Sequence, residues 1–133
     1  MRYAAHVWIL SVALLLSRSS AYAHHSFAAE FDSDKPVQIT GTVTKVEWTN
    51  PHVRFYVDVK NDKGEVVNWN IELGPPLILR RLGWRQDSLK TGDQVTVEGY
   101  LAKGHSSLAN AKKVTLADGR SVFAGSSAEK RGE

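Results

Sequence analysis

Between Pro36 and Leu73 the chain alternates apolar and polar residues in three runs joined by short polar turns. That pattern leaves room for little besides an antiparallel meander. In "KPVQITGTVTKVEW", Val37, Ile39, Gly41 and Val43 share one face, whereas Val46 and Trp48 continue on the other phase. A slip of this kind predicts a bulge in one long bent strand, with Gly41 easing the bend. "TNPH" follows as a turn, because Asn-Pro sets up turn geometry. "HVRFYVDVK" then alternates cleanly, with Val53, Phe55, Val57 and Val59 inward and His52, Arg54, Tyr56 and Asp58 outward. "NDKG" is a polar hairpin loop, and "EVVNWNIEL" places Val67, Trp69, Ile71 and Leu73 on one face.

The period changes after Leu73. In "GPPLILRRLGW", Pro75 and Pro76 suit a first helical turn, and Gly83 suits a left-handed cap. Leu77, Ile78, Arg81 and Leu82 fall at i, i+1, i+4 and i+5, on one side of that short helix. A turn at Thr91-Gly92-Asp93 feeds a fourth strand with Val95, Val97 and Leu101 on one face. "SLANAKKVTLADGRSVF" supplies a fifth strand, a turn at Asp118-Gly119 and a short sixth. Three strands, one short helix and then two further strands is the order of an OB-fold, a mainly β, small five- to six-stranded Greek-key barrel. A bent first strand fits the curvature that so small a barrel needs. An open sheet with one helix and a small sandwich are the alternatives.

The N-terminus reads as a cleaved leader for export over residues 1–23. Arg2 provides the positive start, "VWILSVALLL" the apolar stretch, and Ala21 and Ala23 the small residues before the cut. The apolar stretch is too short to cross a bilayer, which takes ~20 residues, so no stable membrane span is expected after cleavage. Residues 24–35 then form an N-terminal arm, 36–124 the barrel, and 125–133 a small, polar, disordered tail. The expected location is the periplasm. Arg2 and Arg18 leave with the leader, so seventeen basic residues fall to fifteen against fourteen acidic ones. That near-neutral balance argues against a nucleic-acid partner, which calls for clustered cations. There is no cysteine, so export brings no disulfide and no thiol chemistry.

The histidines carry the chemistry. Cleavage after Ala23 exposes His24, whose α-amine and ring Nδ1 form a chelate that His25 or His52 completes. Imidazole and amine nitrogens suit Cu(II), Ni(II) and Zn(II), and a tetragonal nitrogen set suits Cu(II). A cut one residue earlier gives Ala-His-His, a different chelate with a histidine third from the amine. An α-amine of ordinary pKa near ~8 yields its proton to a metal at neutral pH. The competing reading is an arm that binds copper incidentally. His52 then packs beside Trp48 or bonds a loop carbonyl.

Other candidates belong to a ligand or partner face. Trp48 stands at a strand end as the exposed aromatic, beside Asn50 in the turn. Arg54, Tyr56, Asn68 and Asn70 share the outward phases of adjacent strands, and Arg80 and Arg81 cluster on the helix. These groups suit an envelope protein or an anionic group; the competing reading is an ordinary solvated surface. The carboxylates Glu47, Asp58 and Glu72 are scattered and show no acid/base spacing, and the serines of "GHSSL" lack a nucleophile elbow. The chain is therefore not expected to be an enzyme.

Taken together, "HHSFAAEFD", "GTVTKVEWTNPHV", "VVNWNIELGPP", "RRLGW", "SLKTGDQVTVEGY" and "SLANAKKVTLADGR" resemble a family of exported Gram-negative bacterial proteins of unknown function. The resemblance implies a small periplasmic domain beginning at the double histidine, and it brings no catalytic residue with it. The matching polar positions are His24, His25, Asn50, His52 and Asn68. More distantly, the strand order is similar to periplasmic OB-fold proteins linked to stress tolerance, a likeness of architecture that does not fix function.

Overall fold

The computed structural model describes residues 27–126. Six strands and one short helix follow a helical turn at 27–30. They are β1 (Phe31–Glu47), β2 (Arg54–Lys60), β3 (Val66–Glu72), α1 (Pro76–Arg81), β4 (Gln94–Ala102), β5 (Leu108–Thr115) and β6 (Ser121–Phe123). The sheet order is β3-β2-β1-β4-β5-β6, and a parallel pairing of β3 with β5 closes it into a barrel. This is the OB-like topology that the element order implies.

The seventeen-residue β1 makes closure work. Its first part pairs with β4, from Pro36↔Tyr100 to Thr42↔Gln94. Its last part pairs with β2, from Thr42↔Asp58 to Glu47↔Arg54. The register slips between Val43 and Lys45, where the sequence changes phase. A bulge adds one residue to one strand and bends it, so a single strand serves both walls.

Alternation sorts the side chains as expected. Val53, Phe55, Val57, Ile71, Val95, Val97, Ala109, Ala111 and Val114 line the buried interior. Phe55 is wholly buried among them. Truncating Phe55 to Ala should cost ~3–5 kcal/mol, from lost transfer energy plus an unfilled cavity. Urea unfolding checks this, and a loss under about 1 kcal/mol would contradict the placement.

Helix α1 closes one end of the barrel. Gly83 at φ +94° caps it, with Gly83 N–H bonded to Arg80 O at 3.1 Å and Trp84 N–H to Leu79 O at 2.9 Å. That pair of bonds is a Schellman motif. It turns Trp84 back into the core, where its indole donates to Phe123 O at 2.8 Å. The buried helical residues are Pro76 and Leu79, so the side bearing Leu77, Ile78, Arg81 and Leu82 faces outward. In so short a helix, Pro76 and Leu79, with Trp84 after it, are the buried residues.

Two terminal segments differ from the sequence boundaries. Residues 27–35, expected in the arm, are tied to the barrel. β1 already begins at Phe31, which pairs with Ala102. Phe27 stacks on Phe31 at 5.5 Å and meets Tyr100 edge-on at 6.1 Å. With Ala102 and Leu108 these rings form a second small apolar cluster. At the other end Ser126, expected within a disordered tail, is buried and donates to Ala111 O at 2.8 Å. The rest of that tail and the leader lie outside the described residues.

Candidate functional site

One rung of the barrel gathers most of the buried polarity. Strand register sets Glu47 opposite Arg54, Arg54 opposite Glu72, Glu72 opposite Asn110, and Asn110 opposite Tyr100. These positions alternate with the interior residues and so belong to the outer surface. Yet Glu72 and Asn110 are each only 4% exposed. The docked arm packs beside them. Phe27 packs on Tyr100 and Leu108 beside the rung, and the charge of Glu30 acts on Glu72. Lys103 fastens the arm by donating its backbone N–H to Glu30 O at 2.8 Å.

The buried carboxylate is surrounded by donors. Arg54 Nη2 bonds Glu72 Oε2, and Arg54 Nη1 donates to Asn70 Oδ1 at 3.2 Å. Asn110 Nδ2 donates to Glu72 Oε1 at 3.3 Å. His52 Nδ1 lies 3.6 Å from the same Oε1. The His52 ring stands between solvent and the cluster, with 40% of its side chain exposed against 5% for Glu72. Val53, next to it, extends the β2–β3 pairing by accepting from Leu73 N–H at 2.8 Å, which fixes where residue 52 sits. The amide oxygen of Asn110 is buried without a hydrogen-bond partner among the described residues.

Burial pushes the Glu72 carboxyl above its ordinary range; His52 and Arg54 pull it back, and Glu30 pushes it further up. A carboxyl raised in the fold holds a proton that the unfolded chain has released. Its contribution to stability is therefore present at low pH and lost as pH rises from the ordinary carboxylate range through the raised value. Glu72→Gln should flatten the stability-against-pH curve over that interval. Urea unfolding of both proteins across acid and neutral pH tests it, and parallel curves would contradict it.

The remaining sequence candidates fall into place around this rung. Arg54, Tyr56, Asn68 and Asn70 do share one face, but its members bond one another. Tyr56 Oη donates to Glu47 at 3.3 Å, and Asn68 Nδ2 donates to Asp58 at 2.8 Å. Trp48 corrects the expectation of an exposed aromatic. It packs against the core, because the bulge turns the end of β1 inward, and its indole nitrogen is buried without a partner among the described residues. Asn50 is exposed in the turn, at a cis bond to Pro51. Arg80 and Arg81 are exposed on α1, away from the rung. His24 and His25 lie outside the described residues. Among the described residues, no three His, Asp or Glu side chains are grouped to hold a metal.

Sequence reasoning missed Glu72 and Asn110. Glu72 was legible as an outward residue two positions from Asn70, and Asn110 as the polar residue between Ala109 and Ala111. Their adjacency comes from the parallel β3–β5 pairing, for which the local pattern carries no signal.

The molecule is thus a small OB-like barrel with a docked N-terminal segment and a buried, donor-lined carboxylate on its outer wall. The chain belongs to a family of unknown function, DUF6152, whose defining model matches residues 12–110. No curated protein matches it. Among solved structures it is similar to the mitochondrial single-stranded DNA binding protein Rim1 of S. cerevisiae, at 15% identity and TM-score 0.49, covering 62% of this chain and 93% of that one. A second crystal form of Rim1 gives 19% identity and TM-score 0.48, with 62% and 92% covered. The N-terminal domain of PriB from Thermoanaerobacter tencongensis gives 18% identity and TM-score 0.43, with 64% and 98% covered.

Proposed function

We propose that this protein is a periplasmic binding module, without chemistry of its own, that holds a transition-metal ion, copper foremost, at its processed N-terminus. The observation that supports this most is the packing of Phe27 on Tyr100, with Glu30 tied to Lys103, near the rung next to which His52 stands. From Phe27 back to His24 is three residues, a tether of ~10 Å at full extension. His24 would supply its α-amine and ring nitrogen, and His25 or His52 a further imidazole. Asn50 and Pro51 would position the turn that carries His52. Copper bound there would add an ion held mainly by nitrogen donors.

The N-terminal residue decides whether that chelate exists. Protein recovered from periplasm should give an intact mass beginning at His24. Replacing that residue in His24→Ala should weaken Cu(II) binding by at least about tenfold in calorimetry. A retained leader, or affinity unchanged by the substitution, would overturn the reading.

A second reading is favoured by one surface. Leu77, Ile78, Leu82 and Phe123 are 36–58% exposed, with Arg80 and Arg81 beside them on α1. That mixture suits an envelope protein with an acidic, partly apolar face. Photo-crosslinking from position 77 in the periplasm should then yield one discrete adduct that Arg81→Glu abolishes.

Nucleic acid is disfavoured as a ligand. Single-stranded DNA binders lay aromatic side chains over a cationic groove. Here the outer face of β1–β3 carries Glu47, Asp58 and Glu72 among its cations. Oligo-dT should show no anisotropy change at physiological salt.

A further inference from the structure

We propose that Glu72 is the positioning residue of this site: its carboxylate takes the Nδ1 side of His52 and leaves Nε2 facing outward as the ligating nitrogen. This rests on the metal reading for its purpose. The orientation itself rests on geometry alone.

The two nitrogens of an imidazole are joined through one ring carbon and point in widely divergent directions, so fixing one fixes the direction of the other. His52 Nδ1 is the one that faces Glu72, 3.6 Å from Oε1. Glu72 cannot swing away. Arg54 from β2 holds Oε2, and Asn110 from β5 donates to Oε1 at 3.3 Å. A fixed carboxylate beside one ring nitrogen favours the tautomer with its proton there, and the lone pair then resides on the other nitrogen. The side chain is 40% exposed against 5% for the carboxylate, so we infer that the ring edge turned away from Glu72, with that lone pair, is the open one.

The unpartnered amide oxygen of Asn110 points to the same arrangement. Turning the amide over would face that oxygen to Glu72 Oε1, two acceptors together. The buried oxygen instead goes without a partner among the described residues, and the carboxylate keeps its donor. The cluster is therefore built around an acceptor at Glu72. A direct bond from Glu72 to a metal fits the geometry less well. Oε2 already faces a guanidinium, and an ion at Oε1 would have to displace Asn110 and sit beside that positive charge.

The test has two independent readouts on the exported, processed protein. The first uses no metal. Long-range nitrogen–proton NMR of His52, in alkaline buffer where imidazoles are neutral, should show the Nδ1–H tautomer as the major form. A major Nε2–H form would overturn the proposal whatever the protein binds. The second compares Cu(II) affinity in wild type and Glu72→Gln, with near-UV circular dichroism confirming that the variant is folded. We expect a loss of about 10- to 100-fold at unchanged one-to-one stoichiometry. Tight binding that Glu72→Gln leaves intact would overturn the positioning role while the metal reading stands. Failure of the wild type to bind copper removes the metal reading, and the tautomer still decides the role of Glu72.

Discussion

Gly99→Ala should be among the most damaging single methyl additions to this barrel. A Cβ at Gly99 would stand 2.1 Å from Asn110 O and 3.0 Å from Ala111 Cα. Both are backbone atoms of β5, so no side chain can turn aside to make room. The close approach sits where the β4–β5 register slips between Glu98 and Gly99. The two strands would have to part there, at a cost of about 3 kcal/mol, or a fall in Tm on the order of 15 °C. The same displacement moves Asn110, so Nδ2 would leave Glu72. Thermal unfolding measures the first effect and the His52 tautomer the second. A variant within about 0.5 kcal/mol of wild type would show that β5 is more yielding than this packing allows.

Arg54→Met is expected to cost nearly as much, for an electrostatic reason. It takes the guanidinium from a carboxylate that is 5% exposed and leaves Asn70 Oδ1 without its donor. A buried charge stripped of its partner costs about 3 kcal/mol. Replacing both partners, as in R54M/E72M, should recover most of the loss, since an apolar pair demands no solvation. The deficit of the single variant should also shrink in acid. Glu72 is already raised by burial, and without Arg54 it takes a proton more readily, after which no bare charge remains. Urea unfolding of both variants at acid and neutral pH separates these effects. A single variant as stable as wild type at neutral pH would mean that Arg54 and Glu72 are solvated after all.

How far the sequence reveals this depends on the range over which each feature is specified. The interior faces of β2 and β3 follow from period-two alternation, and the bulge after Val43 from a phase change between neighbouring residues. The end of α1 follows from Gly83, the residue able to adopt its φ of +94° without strain. Each of these is local. The rung is not. Glu72 looks like one scattered carboxylate until β3 meets β5, 38 residues away at Asn110. The docking of Phe27 is equally hidden, because its partner Tyr100 lies on β4. Trp48 shows how a correct local reading can still mislead. The slip that predicts the bulge also turns the end of β1 inward, and Trp48 packs half-buried against the core. His52 was legible as a turn histidine, and its orientation toward a buried carboxylate was not.

On the function proposed above, the processed N-terminus and His52 bind one metal ion together. Calorimetric titration of Cu(II) into periplasm-processed protein, run in parallel on His52→Ala, tests it most directly. Tight one-to-one binding, weakened about tenfold or more in the variant, is the expected result. Micromolar or weaker binding, the same in both proteins, would contradict it and leave the two N-terminal histidines as an incidental copper chelator.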